Sequence, residues 1–468
     1  MTVRPPTIAR AAALVATLVL AGPVPGRAAP TPGARSMHIP YTSFTLPNGL
    51  QVIVHEDHRL PIVSVNTWYH VGSGDEQPGR TGFAHLFEHI MFMGSQHVPT
   101  GEFDRLLEAA GCSNNGSTTV DRTNYYEDGP ASALELMLWL DADRMGFLLP
   151  EMTVDKVDVQ RGVVKNERRQ SYENQPYGLA NENIVSRLYP SGHPYSWPTI
   201  GSMADLDAAS IDDVQSFFRH YYTPNNATMV VAGDVKPAAV RALVEKYFGG
   251  IARGPEVTRP VAPAVRLEAD VTHTLEDRVQ LPRLYHAWHS VKAFAPDDAA
   301  LDAVADVLAN GKSSRLYQRL VYQMEVASQV VAYQNGGKLD GSFVLYATAK
   351  PGHGLSEIEA VVDEEVAKLA ASGPTPRELE RFKHSTESRF IDVLESVGGF
   401  SGRADQLNFY NAFTGDPDHM AEDRARYDRL TPADVQRAAK AYLADAHRVV
   451  LSVVPSGKTD LAAGGGAK

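Results

Sequence analysis

The chain has 468 residues, 43% hydrophobic and 21% charged, which is the balance of a soluble globular protein and excludes wholesale disorder. A formal net charge of -12, with no polybasic run to offset it, argues against a nucleic-acid partner. The length exceeds what one hydrophobic core supports, so two or more domains are expected, and a lone cysteine, Cys112, rules out an internal disulfide.

In chain order, residues 1–29 read as a secretory signal: Arg4 and Arg10, an apolar run from Ala11 to Gly22, then small residues through Ala28 and Ala29. The apolar core is too short to span a bilayer, and no later stretch is apolar for long enough. The expectation is a periplasmic or secreted product without stable membrane insertion, the alternative being an uncleaved interfacial anchor. Residues 44–71 then read as two or three antiparallel strands, with a Pro47-Asn48-Gly49 turn between the first two.

Next comes GFAHLFEHIMFMG, Gly82 to Gly94. His85 and His89 stand four positions apart, one helical turn, so both imidazoles share a face. Both can therefore reach one zinc ion at about 2.0–2.1 Å. Glu88 lies beside the second histidine, where a carboxylate could take a proton from water activated by the metal and pass it to a leaving amine, which is the chemistry of peptide-bond hydrolysis. The order H-x-x-E-H is the inverse of the commoner H-E-x-x-H. The alternative is an amphipathic helix whose Leu86, Phe87, Ile90, Met91 and Phe92 pack the core while the histidines are merely hydrogen-bonded.

A helix follows from about Pro99 to Gly111, then SNNGSTTVDRTNYYEDGP, whose alternating faces read as one strand of moderate polarity that an extended peptide could join at its edge, the alternative being an ordinary edge strand. Two helical patterns cover Ala131–Leu149 and Thr153 to about Glu173, with Thr153 as N-cap. Glu167 lies on the second, where a lone glutamate is ordinarily solvated.

The second half repeats the first. Pro61 and Pro282, Asp213 and Asp434, and Tyr221 and Tyr442 are each separated by 221 positions. The domains expected are residues 37–251, a Pro-rich linker at 252–268, a homologous domain at 269–459 and a tail at 460–468. Asp302, Ala305 and Asp306 stand where the first half has His85, Glu88 and His89, so the second domain lacks the metal motif and is expected to cover or position substrate.

HLFEH, followed 78 positions after His89 by the Glu of NERR, within a chain of two related halves, resembles the pitrilysin and insulysin family of inverted zinc peptidases. Within it the likeness is to the metal-bearing subunits of bacterial heterodimeric members and of mitochondrial processing peptidase. The resemblance implies an α+β fold of two homologous domains, each a mostly antiparallel sheet with helices packed on one face. It implies one Zn2+ held by His85, His89 and Glu167, with Glu88 as general base and Asn115, in the NNGSTT strand, holding the substrate peptide. By the same likeness, GHPYSWPTIGS is a structural turn near the site, in which His193 is a hydrogen-bonded loop residue.

Two positions depart from the family. An acidic residue often precedes the third ligand by seven positions, and here Gln160 stands there. Self-sufficient members also carry an Arg and a Tyr after an L-Y-x-x-L helix, and here Val321 and Ser328 occupy those positions. Neither can donate to a substrate carbonyl across a cavity as Arg and Tyr do. The pattern resembles a metal-bearing subunit completed by a homologous non-metal partner in a heterodimer. The alternative is a non-catalytic peptide-binding or assembly subunit of the same fold.

Overall fold

The computed structural model describes residues 37–464. The expected signal segment, residues 1–29, lies outside the described residues. The first half runs β1 (Thr42–Thr45), β2 (Gln51–Glu56), β3 (Ile62–Tyr69), α1 (Phe83–Ile90), α2 (Glu102–Ala109), β4 (Ser113–Thr118) and β5 (Thr123–Pro130). It continues with α3 (Leu134–Phe147), α4 (Val154–Arg168), α5 (Ala180–Leu188), α6 (Met203–Ala208), α7 (Ile211–Tyr221), β6 (Ala227–Gly233) and α8 (Pro237–Phe248).

The second half runs β7 (Val271–Asp277), β8 (Arg283–His289), α9 (Asp298–Ala309), β9 (Ala327–Gly336) and β10 (Gly341–Ala349). There follow α10 (Leu355–Ser372), α11 (Pro376–Glu395), α12 (Arg403–Thr414), α13 (Met420–Asp428), α14 (Pro432–Ala439) and β11 (Arg448–Pro455).

The first sheet has the order β1-β2-β6-β3-β5-β4 and the second β7-β11-β8-β10-β9. Position for position, β7, β11, β8, β10 and β9 repeat β2, β6, β3, β5 and β4. Each sheet has one parallel pair, β2 with β6 and β7 with β11, and is otherwise antiparallel. The fold is two α+β domains of one architecture. The consecutive strands β2 and β3, read from sequence as antiparallel neighbours, are separated by β6. All seven residues of β6 are buried, which suits a strand with partners on both sides.

Local signals place the helices. Thr153, Ser210 and Thr431 cap α4, α7 and α14 through their side-chain oxygens, and the last two form capping boxes with Asp213 and Asp434. Helices of each half pack on one face of its own sheet, where Val63, Val65, Leu86, Phe87 and Leu138 share one core and Leu284, Trp288, Val304 and Leu345 another.

The opposite faces are covered reciprocally. On the second sheet lies α5 of the first half, with Ile184 and Leu188 clustered with Tyr285, Val449 and Leu451. On the first sheet lies α12 of the second half, through polar contacts: Asn408 Nδ2 donates to Asn66 O at 2.8 Å and Asn411 Nδ2 to Gln51 Oε1 at 3.0 Å. This exchange ties the halves together, and β4 and β9 stand at corresponding edges of the two sheets, with β1 and β7 at the opposite edges.

Candidate active site

Eight residues make α1 too short to persist on its own, so its position is set by tertiary contacts. Its N-cap, Gly82, has φ +89° and offers no side chain to the free N–H groups of the first turn. The buried Glu76 carboxylate accepts from Gly82 N at 2.9 Å and Ala84 N at 2.8 Å instead. Asp205 Oδ2 accepts from Thr81 N at 3.0 Å and Thr81 Oγ1 at 2.6 Å. Gly201, in the GHPYSWPTIGS stretch, packs so closely that a Cβ there would overlap Gly82. Apolar burial of Leu86, Phe87 and Ile90 holds the rest of the helix.

Packed beside α1 is α4, which brings Glu167 to the histidines. Glu167 Oε2 lies 3.7 Å from His85 Nε2 and 3.2 Å from His89 Nε2. Ligand atoms of the three residues all fall within 4.8 Å of one another, and this is the one such metal-capable group among the described residues. Tetrahedral zinc with bonds of about 2.0–2.1 Å spaces its ligand atoms by roughly 3.4 Å, so the two measured separations fit.

The charge states fit as well. Burial pushes the His85 pKa down to about 4, leaving a neutral imidazole with a lone pair to give. The hydrogen bond from His89 holds Glu167 below the usual carboxylate range, so it remains an anion. Two imidazoles and one carboxylate leave a fourth tetrahedral position for water or substrate.

Glu88 is not part of that group. Its Oε2 accepts from Thr118 Oγ1 of β4 at 2.6 Å, and burial raises its pKa against the pull of that bond. Gly116 of β4 faces it too, for a Cβ there would stand 3.2 Å from Glu88 Cγ. The carboxylate therefore lies between the metal-capable trio and the free edge of the sheet. Thr119 N donates to Arg122 O at the β4–β5 turn, 2.8 Å. By antiparallel alternation the odd residues of β4 direct their main chain to β5, while Asn114, Gly116 and Thr118 direct theirs to the open edge.

Asn115 is exposed on that edge strand. Its side chain is on the face turned away from Glu88, and its Oδ1 accepts from Gly116 N at 2.8 Å. His193 is a buried loop residue whose Nδ1 accepts from Tyr195 N at 3.1 Å. Gln160 Nε2 donates to Met93 Sδ at 2.7 Å.

In the second half Asp302 and Asp306 lie on α9, the counterpart of α1. Asp302 Oδ2 accepts from Tyr427 Oη at 2.8 Å and Asp306 Oδ1 from Arg381 at 3.1 Å, so both serve packing. Val321 packs against the second core, and Ser328 Oγ donates to Thr348 O at 3.3 Å. Thr118, Glu76 and Asp205 escape sequence reasoning. Strand alternation, which puts Thr118 on the same face as Gly116, is the one signal that could have found any of them.

Residues 51–198 match the family described as insulinase, peptidase family M16, and residues 208–386 match the peptidase M16 inactive domain. A zinc protease of Helicobacter pylori, PqqE, is 30% identical over 420 residues, covering 89% of this chain and 93% of that one. A probable mitochondrial-processing peptidase subunit beta of Arabidopsis thaliana is 24% identical over 428 residues, 88% of this chain and 78% of that one. Among solved structures, a protease from Helicobacter pylori superposes with a TM-score of 0.81 at 28% identity, over 89% of this chain and 100% of that one. A peptidase M16 inactive domain from Pseudomonas fluorescens shares the fold, with a TM-score of 0.78 at 18% identity over 89% and 98% of the two chains. With the two M16 matches following one another along the chain, and with a relative 30% identical over 89% of its length, the chain belongs to the insulinase family of peptidases, family M16.

Proposed function

We propose that this chain is an exported zinc endopeptidase subunit that hydrolyses peptide bonds in unfolded peptides. The observation that carries this reading is the convergence of His85, His89 and Glu167 while Glu88 stays outside the group, tethered to an open strand edge. Zinc bound there would supply a Lewis acid that polarises a carbonyl and acidifies water.

The chain's own residues supply the rest. A peptide joins the free edge of β4 by pairing with the main chain of Asn114, Gly116 and Thr118, a mode that accepts many sequences. Pairing at Gly116 displaces the Asn115 side-chain oxygen that covers its N–H, which gives Asn115 its place in substrate binding. Thr118 occupies Glu88 Oε2, so Oε1 is the atom that receives the proton from water and delivers it to the leaving nitrogen. With Val321 and Ser328 where Arg and Tyr are expected, the subunit reads as the metal-bearing half of a heterodimer whose homologous non-metal partner supplies those two groups.

The test is hydrolysis of a quenched peptide by the purified, zinc-loaded chain, alone and with a homologous subunit that lacks H-x-x-E-H but holds Arg and Tyr. Activity appearing only with the partner supports the reading. Full activity alone overturns the division of labour, and zinc-loaded protein inert in both settings favours the peptide-binding subunit. Export is part of the proposal, with cleavage after Ala28 or Ala29, and N-terminal sequencing of protein recovered outside the cytoplasm tests it.

A further inference from the structure

We infer that Tyr126 and Phe400 form a subsite that selects large apolar or aromatic side chains in peptides bound along β4, an inference that rests on the proposed strand addition. The argument begins with parity. Asn115 pairs in register with Tyr126 of β5, and Gly116 with Tyr125. Gly116 and Thr118 face Glu88, so Asn115 and Tyr126 face the other way, toward the second half. A peptide strand added to β4 alternates in the same manner. Every second substrate side chain points away from the metal, onto the Asn115 face.

What waits on that face is a loop of the second half. Residues 396–402, SVGGFSG, connect α11 to α12 and lie against β5 so closely that a Cβ on Gly398 would overlap the Asp128 carboxylate. At its tip the Phe400 ring meets Tyr126 edge-on, with centroids 5.0 Å apart and planes at 86°. Phe400 is nevertheless 45% exposed, an unusual state for an aromatic held this firmly.

The loop is built to hold it there. Ser401 has φ +67°, a left-handed conformation that costs a non-glycine residue of order 1–3 kcal/mol. Ser401 N donates to Asp405 Oδ2 at 3.0 Å, while Asp405 Oδ1 accepts from Trp68 Nε1 at 3.0 Å and Asn124 Nδ2 at 3.2 Å of the first sheet. A strained residue is thus anchored to the catalytic half by a carboxylate, and the product is a half-exposed ring. Burial does not account for that arrangement, because more than two-fifths of the ring's residue stays in water.

Asn115 is small enough to let a substrate side chain opposite it lean across toward β5. There it would meet the Tyr126 ring and the flank of Phe400, two rigid apolar surfaces set at right angles. Small or charged side chains gain nothing from such a corner, whereas Phe, Tyr, Leu or Met can fill it.

The test separates binding from turnover. Two fluorescein-labelled peptides, identical except for Phe or Ala at the alternating positions, are titrated into the zinc-loaded chain and its Phe400→Ala and Phe400→Trp variants, and anisotropy gives each Kd. The wild-type chain should favour the Phe peptide about tenfold, Phe400→Ala should abolish that ratio, and Phe400→Trp should keep it. An equal ratio in wild type and Phe400→Ala, or no preference in the wild type, overturns the subsite. Hydrolysis of the same peptides is read separately with the homologous non-metal subunit added, so loss of the endopeptidase reading shows as no cleavage even with that partner and is distinguishable from loss of the subsite.

Discussion

Thr118 Oγ1 donates to Glu88 Oε2 at 2.6 Å, so the open strand of the first sheet is physically tied to the acid beside the metal-capable trio. That one bond fixes which carboxylate oxygen is free and where an added peptide would lie relative to it. Replacing Thr118 with Val removes the donor with little change in shape. We expect zinc content unchanged and kcat lowered about tenfold, because a Glu88 rotamer no longer held must be ordered at each turnover. An unchanged kcat would contradict the tether.

Substituting Glu88→Gln should leave zinc bound and depress kcat about 100- to 10,000-fold, the range for loss of a general base. Metal analysis paired with a peptide assay checks both halves of the statement. Retained turnover would remove Glu88 from the mechanism.

Gly201→Ala tests the mounting of α1. A methyl there overlaps Gly82, which already sits at φ +89°, so the helix start must shift. A lowered melting temperature together with weaker zinc retention under a chelator titration is expected. Unchanged zinc retention would mean that the Gly82–Gly201 contact does not position the ligands.

Asp302 gives a pH signature outside the group of His85, His89 and Glu167. Burial first, and then the neighbouring Asp298, push its pKa up to about 7, from an ordinary 3.8. The folded protein then binds more protons than the unfolded chain between about pH 4 and 7, so stability falls as pH rises through that window. Asp302→Asn keeps an acceptor for Tyr427 and removes the charge. Its melting temperature should exceed that of the wild type by about 2–4 °C at pH 8 and match it near pH 4. Equal melting temperatures at both pH values would contradict the assignment.

Much of this was legible in the residues. The four-position spacing of His85 and His89 fixed their shared face, Thr153, Ser210 and Thr431 announced three helix starts, and alternation marked SNNGSTTVDRTNYYEDGP as one strand, which the structure divides into the antiparallel pair β4 and β5. The constant offset between halves foretold two sheets of one order. The insertion of β6 between β2 and β3 was not legible, because strand neighbours are set by partners far away in sequence. Nor was the exchange of α5 and α12, since amphipathic periodicity says that a helix has an inner face but not which sheet receives it. Glu76 and Asp205 act on α1 from outside the helix, with no local pattern to reveal them.

The most direct measurement is zinc stoichiometry by elemental analysis of the purified chain and of His85→Ala, His89→Ala and Glu167→Gln, each shown by circular dichroism to be folded. The account predicts close to one zinc per wild-type chain and a marked loss in all three variants. Wild-type protein that takes up no zinc, or a Glu167→Gln protein that holds it as tightly as the wild type, would contradict the three-residue site.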